Sequence, residues 1–359
     1  MQIRQKECHD MTVQIGVGFL PKERNNSPTN LATGLVAGFT EAGIACKRIE
    51  IAGSRVIDPS SLQKCDALVV PYWIHRDLFN INLGDVRAQL GDQFTIITYT
   101  GVGPYWNGCP WVTHGPVRDD GHSTLVPGAT ATQAECDALE AVSCFAVVAH
   151  RDNDAIPDRE VAVGMGIHAE LSAPNGACKF DTPAIVLDFF KPDWDENVFA
   201  AAVAAIADAR ERVPELMVLV MGSDTCDRAV AVDQRAAHWG CMVSNTFTNF
   251  EVMVEVYRGA WGIVIHNESF GFTAHEAAAC GSQVFCSAAA EVPSMYYEFC
   301  DVWTHPSALT EMIVARANGG RPALAPNSRW ETMAHRLRLD SWAETARAIT
   351  RIATEGIIR

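Results

Sequence analysis

Apolar residues in the first half of the chain follow strand and helix periods in alternation. Residues 29–42 predict a helix, because Leu31, Leu35, Val36 and Phe39 recur at helical spacing. Short apolar runs typical of strands occupy residues 12–19, 48–51, 67–71, 94–99 and 145–149. Strands that alternate with helices predict a parallel, doubly wound sheet.

The same alternation resumes after residues 171–181, which we predict to be a linker. Strands are predicted at residues 184–189 and 216–221, a helix at 196–212, and a helical tail at 328–358. At 359 residues the chain is long for a single core and fits two Rossmann-like domains. We therefore expect an N-terminal domain over residues 1–178, a second domain over 179–340 and a closing helix over 341–359.

Composition and charge narrow the class of protein. The net charge of −15 disfavours a general nucleic-acid or anionic-membrane surface, since both attract Lys and Arg patches. No apolar run reaches transmembrane length and the first residues lack the apolar core of a signal peptide, so we expect a cytoplasmic protein. The 12 cysteines are scattered singly without a C-x-x-C pair, which predicts reduced, buried thiols rather than disulfides or zinc ligands.

A strand-to-helix corner lies in the second half of the chain. Residues 262–266 are a short apolar run rich in β-branched residues, which predicts a buried parallel strand. Residues 273–280 predict a helix that ends at Gly281, the usual residue just past a helix end. Residues 283–286 begin another strand, so the segment is one βαβ unit. Open α/β sheets bind ligands at the carboxyl ends of their strands, where this corner lies.

The residues of the corner suit a nucleotide sugar. Gly271 lacks a Cβ, so a ligand can approach the backbone, and the free N–H groups of a helix N-terminus suit phosphate. Glu268 and Glu276 would repel phosphate, so we interpret them as acceptors of hydroxyl hydrogen bonds, Glu268 from a sugar and Glu276 from a ribose. A diphosphate between two polyols is a nucleotide sugar. The alternative is an ordinary βαβ corner with two solvated glutamates.

The stretch ESFGFTAHEAAACGSQV resembles the donor-binding signature of retaining GT-B glycosyltransferases of family 4, E-[S/G]-F-G-[L/F]-T-x-x-E-A-x-A-C-G-x-x-V. The preceding NFEVMVEVYRGA resembles the family's amphipathic helix, and the resemblance is strong over about residues 185–300. It implies a GT-B fold: two Rossmann-like, doubly wound parallel-sheet domains that face each other across a cleft. It also implies a metal-independent enzyme without a cofactor, whose closing helix packs back on the first domain. The donor-binding residues that it implies are Glu276, Ser269, Phe270, Gly271, Phe272 and Thr273, with Glu268 in the catalytic set.

The chain departs from the family pattern where the diphosphate charge should be met. The family places an Arg and a Lys after the first strand of the second domain, whereas this chain has Asp188 at the Arg position. Lys191 is the cation of that segment, and we expect it to contact phosphate from a shifted position. Gly16 and Gly18 stand near the place of the family's first Gly-rich loop. We assign Gly18 to donor binding, with close strand packing as the alternative.

Acid–base and acceptor residues are expected in the first domain. His75 and His114 follow predicted strands, and we assign His114 as the catalytic candidate, with a structural histidine as the alternative. Residues 101–128 are dense in Gly, Pro and aromatics, which predicts a long loop that helps to define the acceptor pocket. Two D-x-D triplets lie in polar turns at residues 152–154 and 193–195, a setting that disfavours a metal site.

The sequence therefore predicts a retaining glycosyltransferase that moves a sugar from a nucleotide diphosphate sugar to a small-molecule or glycan acceptor. The acidic balance disfavours a nucleic-acid acceptor, and the sequence leaves a homo-oligomer open. Two rivals remain: a sugar-nucleotide 2-epimerase of the same fold, and a non-catalytic nucleotide-sugar-binding protein. The second rival would explain the missing Arg and Lys pair.

Overall fold

The computed structural model of the chain divides into two compact units. The first unit comprises residues 1–166 and 338–359, and the second comprises residues 167–337. The structure describes residues 13–19, 27–51, 56–71, 81–100, 112–117, 123–127, 138–147, 159–164, 166, 179–187, 196–242, 250–265, 272–288, 298–322, 329, 332 and 341–356.

The described elements alternate between strand and helix through most of the chain. In the first unit they are β1 (Gln14–Phe19), α1 (Ser27–Glu41), β2 (Ala45–Glu50), β3 (Ala67–Pro71), α2 (Leu83–Leu90), β4 (Thr95–Thr100), β5 (Val112–Val117), β6 (Ser123–Pro127), β7 (Cys144–Val147) and β8 (Glu160–Ala162). In the second unit they are β9 (Ala184–Leu187), α3 (Glu196–Arg212), β10 (Met217–Met221), α4 (Ser223–Val232), β11 (Gly240–Met242), α5 (Phe250–Gly259), β12 (Gly262–Ile265), α6 (Phe272–Ala279), β13 (Gln283–Ser287), β14 (Cys300–Trp303) and α7 (Pro306–Asn318). The last described helix, α8 (Trp342–Glu355), belongs to the first unit. Among the described helices, none combines the length and apolar character needed to cross a membrane.

Six described strands of the first unit form a parallel sheet in the order β2-β1-β3-β4-β7-β8. β3 (ALVVP) and β7 (CFAV) are buried along their whole length, as expected for apolar strands of a parallel sheet covered on both faces. β2 lies at the end of this order and exposes Lys47 and Arg48, whose charges disfavour pairing with a further strand.

The second unit contains its own parallel sheet, in the order β11-β10-β9-β12-β13-β14. β9 (AIVL) and β12 (GIVI) lie in the middle and are fully buried. From β9 the chain adds strands in one direction as far as β11, and from β12 it adds them in the opposite direction. The order therefore reverses between β9 and β12, and such a reversal marks the ligand-binding crevice of open α/β sheets.

Trp342 anchors the C-terminal helix α8 within the first unit. Its side chain is buried, with 5% exposed, and its ring meets the edge of Tyr99 at a centroid distance of 6.2 Å. Three glycines line its slot: a Cβ added at Gly34 would lie 2.8 Å from Cδ2 of the indole, one at Gly38 2.8 Å from its Cβ, and one at Gly166 2.6 Å from its Cγ. Gly34 and Gly38 are four residues apart and so share one face of α1. Helix α8 therefore packs against α1 through a bulky residue that fits because its neighbours have no side chains.

Two expectations from the sequence need correction. Residues 101–128 are not loop throughout, because β5 and β6 pair as an antiparallel hairpin within them, with a register shift between His114 and Val117. A disulfide joins Cys226 in α4 to Cys241 in β11, whereas the sequence predicted reduced thiols. β11 pairs with β10 so that Cys241 lies opposite Val220, and α4 follows β10 directly, which brings the two cysteines together.

Candidate functional site

The predicted donor segments follow the two strands at the reversal point of the second sheet. β9 and β12 pair in parallel, with Val264 opposite Leu187 near their carboxyl ends. In the sequence, Lys191 follows the end of β9 and Glu268 follows the end of β12. The two segments therefore begin next to each other at the carboxyl edge of the sheet, as the parts of one ligand site must.

Much of the predicted site lies outside the described residues. This holds for Glu268, Ser269, Phe270, Gly271 and Lys191. It also holds for Asp188, His75 and both D-x-D triplets. The roles of these residues stay predictions. Within the ranges that are described, no group of three or more His, Cys, Asp or Glu side chains could hold a metal ion. Metal independence stays a prediction as well.

Helix α6 carries the described part of the site. It begins at Phe272, one residue before the predicted start, and Thr273 and Glu276 are both partly exposed on it. Its end is a Schellman motif: the Ser282 amide donates to the Ala277 carbonyl at 3.0 Å and the Gly281 amide donates to the Ala278 carbonyl at 2.9 Å. Gly281 adopts φ +77°, which confirms the helix end predicted from the sequence.

The first-unit candidates lie in strands. Gly18 is buried in β1, and a Cβ there would meet the Ile51 side chain at 3.1 Å, so strand packing alone accounts for a small residue. His114 lies in β5 opposite Leu125. Their roles in donor binding and acid–base chemistry are not decided by these positions and stay predictions.

Lys179 is a buried cation that sequence reasoning missed, because it fell in the predicted linker. Its side chain is 1% exposed, and its Nζ donates to the carbonyls of Ala260 at 2.6 Å, Cys280 at 3.3 Å and Tyr257 at 3.4 Å. Nζ also donates to the Ser282 hydroxyl at 3.3 Å. The sequence does contain a signal for this contact. Lys179 stands shortly before a predicted strand, the neighbouring segments contain helix C-termini, and helix C-termini attract cations.

Burial governs the ionisation of the groups near Lys179. It lowers the pKa of Lys179 to about 7, with Cys280 acting in the opposite direction and Arg316 in the same direction. Burial also raises the pKa of the Cys280 thiol to about 12, and the Glu276 carboxylate adds to that effect. Cys280 is therefore a neutral thiol at physiological pH, and Lys179 titrates near neutrality.

Comparison with known proteins identifies the fold. No protein-family model and no curated protein sequence matches the chain. The lipopolysaccharide outer core galactosyltransferase WaaB, in its apo form, matches with a TM-score of 0.53 at 10% identity, covering 96% of this chain and 100% of that chain. WaaG, a glycosyltransferase involved in lipopolysaccharide biosynthesis, matches with a TM-score of 0.55 at 9% identity, covering 95% and 100%. The chain has the GT-B fold.

The GT-B fold is shared by proteins of more than one activity. A protein from Listeria monocytogenes assigned as UDP-N-acetylglucosamine 2-epimerase matches with a TM-score of 0.56 at 10% identity, covering 97% of this chain and 98% of that chain. Identities of this size establish the fold alone. The activity has to be argued from the site.

Proposed function

We propose that this protein is a retaining glycosyltransferase of the family 4 type, which moves a sugar from a nucleotide diphosphate sugar to a small-molecule or glycan acceptor. The observation that carries the proposal is the pairing of β9 with β12 at the reversal point of the second sheet, followed in sequence by the donor signature. The fold is consistent with it, since GT-B glycosyltransferases are among the matching structures.

In this proposal the second unit holds the donor. Glu276 accepts a hydrogen bond from the ribose and Glu268 accepts one from the transferred sugar. The diphosphate is held by backbone N–H groups of residues 271–273, where the N-terminus of α6 favours negative charge. Ser269, Phe270 and Phe272 complete the corner, and Lys191 supplies a cation. The first unit supplies the expected acceptor side, with His114 as the acid–base candidate, and it contributes Gly18 to donor binding.

Catalysis would then depend on positioning and on stabilisation of the departing diphosphate. The bond between the sugar's anomeric carbon and the phosphate oxygen breaks, and a bond to the acceptor oxygen forms on the same face. The acceptor proton passes to a phosphate oxygen of the leaving group. The anomeric configuration is retained without a protein nucleophile.

A panel of nucleotide sugars tests donor binding. UDP-glucose, UDP-N-acetylglucosamine, GDP-mannose and ADP-glucose are screened by thermal shift, and the best binder is used for kinetics with an acceptor found by screening. Glu276→Ala should raise the donor KM by about 10- to 100-fold, because a hydrogen bond to a charged group contributes roughly 1.5–3 kcal/mol. Glu215→Ala is the control, since Glu215 is exposed in the turn before β10, at the amino edge of the same sheet. A Glu276→Ala enzyme with unchanged donor KM would contradict the assignment.

The 2-epimerase is the second candidate, because a protein assigned to that activity is among the matching structures. The two activities differ in what they need. An epimerase consumes the nucleotide sugar with no acceptor present and yields its C2 epimer, whereas a transferase needs the acceptor. NMR of the donor incubated alone separates them, and the coupling constant of the transferred sugar's anomeric proton reports retention.

The cytoplasmic location stays a prediction that the Cys226–Cys241 disulfide makes testable. Disulfides persist in oxidising compartments and are rare in the cytosol. Alkylation of thiols in intact cells, followed by peptide mapping, should find both cysteines alkylated if the protein resides in the cytoplasm. A persistent disulfide would place it elsewhere.

A further inference from the structure

Two helices of the second unit end against one lysine. The carbonyls of Tyr257 and Ala260 belong to the end of α5, and the carbonyl of Cys280 belongs to the end of α6, and all three accept hydrogen bonds from Lys179. A helix C-terminus carries a partial negative charge, so two ends that meet repel one another. The Lys179 ammonium lies between them and offsets that repulsion.

Ser282 completes the arrangement. Its hydroxyl accepts from Lys179 and donates to the Tyr257 carbonyl at 2.6 Å, with the Ala260 carbonyl at 3.1 Å as a second acceptor. Ser282 also belongs to the Schellman motif of α6 through its amide. We call Lys179 and Ser282 the clamp, because they join the ends of α5 and α6 from both sides.

The clamp is close to the described donor residue of α6. Nζ of Lys179 donates to the Cys280 carbonyl at 3.3 Å, and the Cys280 amide donates to the Glu276 carbonyl at 3.0 Å. Two successive hydrogen bonds therefore link the ammonium to the backbone of Glu276. Lys179 thus contacts the end of α6, a helix of only eight residues.

We propose that Lys179 and Ser282 are positioning residues that set the axis of α6 and thereby hold Glu276 where it receives the ribose of the donor. The inference rests on the proposed function, because it assigns Glu276 to the nucleotide. Other charged groups near the clamp are Arg316 on α7, and Arg258 and Glu255 on α5, which form an ion pair at 3.1 Å.

The net contribution of the clamp to global stability is small, because two opposing effects offset each other. Removing an ammonium from water is costly, whereas its hydrogen bonds satisfy buried carbonyls that a methionine would leave without this donor. Lys179→Met keeps most of the side-chain length and removes the charge and its donors. A purely structural role and a positioning role for Lys179 therefore predict different ligand affinities for a variant that is as stable as wild type.

The experiment compares Lys179→Met and Ser282→Ala with wild type. Lys47→Met is the matched control, because its Nζ also donates to a backbone carbonyl, that of Ser61 at 2.7 Å, in the first unit. Three quantities are measured: the urea midpoint, hydrogen exchange of the amides of residues 280–282, and calorimetric Kd for the nucleotide sugar that shifts wild type most among UDP-glucose, UDP-N-acetylglucosamine, GDP-mannose and ADP-glucose. Kd is measured again with Lys179→Met in a Glu276→Ala background.

Lys179→Met should change the urea midpoint little, because relief of the desolvation cost offsets the lost hydrogen bonds. It should speed exchange at residues 280–282 and raise Kd roughly 2- to 30-fold, the range typical of residues that act without touching the ligand. The same substitution should cause no further loss in the Glu276→Ala background, since Lys179 acts through Glu276. Ser282→Ala should act in the same direction, and it carries the test if Lys179→Met does not fold.

If wild type binds a nucleotide sugar and Lys179→Met binds it with the same Kd, the positioning role is overturned. An equal loss of affinity in the Glu276→Ala background would overturn it as well. A wild type that binds none of the four probes would instead refute the proposed function, and the positioning role would fall with it.

Discussion

The Trp342 slot predicts an inverted response to glycine substitution in a helix. Replacing Gly by Ala inside a helix normally stabilises it by about 1 kcal/mol, because Gly loses more backbone entropy on folding. At Gly34 the new methyl group would overlap the indole of Trp342, lying 2.8 Å from Cδ2 and closer still to other ring atoms. Overpacking of a filled core costs about 1–3 kcal/mol. Gly34→Ala should therefore destabilise the first unit by up to about 2 kcal/mol.

A double-mutant cycle separates the clash from other effects. Trp342→Ala alone should cost about 3–5 kcal/mol, as expected for the loss of a buried Trp side chain. In that background the obstacle to Gly34→Ala is absent, so the substitution should now stabilise by about 1 kcal/mol. Gly38→Ala should stay destabilising in both backgrounds, because its methyl group would meet the carbonyl group and Cβ of residue 342, which Ala retains.

The measurement is urea denaturation followed through hydrogen exchange of α1 amides, so that unfolding of the first unit is read separately from that of the second. Gly84→Ala in α2 is the control, since a Cβ there meets nothing within 4 Å, and it should raise stability. The reasoning would be refuted if Gly34→Ala raised stability with Trp342 present, or if it cost the same amount with Trp342 absent.

Two further predictions concern the second unit. Reduction of the Cys226–Cys241 disulfide, whose cysteines are 15 residues apart, should lower the free energy of unfolding of the second unit by about 3 kcal/mol. A variant with both cysteines changed to Ser should not respond to reductant. An equal response of this variant would contradict the assignment of the disulfide. Burial lowers the pKa of Lys179 from 10.5 to about 7. Between these two pH values the unfolded chain holds a proton that the folded chain lacks. The free energy of unfolding should therefore rise by up to about 1.4 kcal/mol per pH unit in that range. Urea titrations between about pH 7 and 8.5 should show a shallower slope for Lys179→Met than for wild type. Unfolded thiols, whose pKa is about 8.5, affect both proteins alike, so parallel slopes would exclude the buried charge as the cause.

Local sequence signals predicted the secondary structure around the candidate site. The helix expected over residues 273–280 is observed as Phe272–Ala279, with Gly281 at positive φ just beyond it. Apolar runs predicted the buried strands of both sheets, and the similarity to solved structures confirms the GT-B fold that the donor signature implied. These features were readable because strand burial and helix ends depend on a few adjacent positions.

Features that arise from pairing between distant or irregular segments were missed. β5 contains Gly115 and Pro116, both unfavourable in a strand, and the hairpin accommodates them where its register shifts. The Cys226–Cys241 disulfide depends on β11 returning beside β10, which the spacing of the two cysteines does not show. Strand order and register had to be known before either feature could be expected.

Lys179 was missed for a related reason, because its contacts with the end of α6 join segments that are distant in sequence. Helices shorter than about 12 residues are marginal on their own, so the eight residues of α6 need tertiary contacts at both ends. Its N-terminal end follows β12 in the chain, and its C-terminal end is held by Gly281, Ser282 and Lys179. Lys179 lies 101 residues before Cys280 in the chain, so no local pattern links it to Glu276. If Glu276 binds the donor as proposed, this short helix relies for its geometry partly on Lys179, a residue distant in sequence.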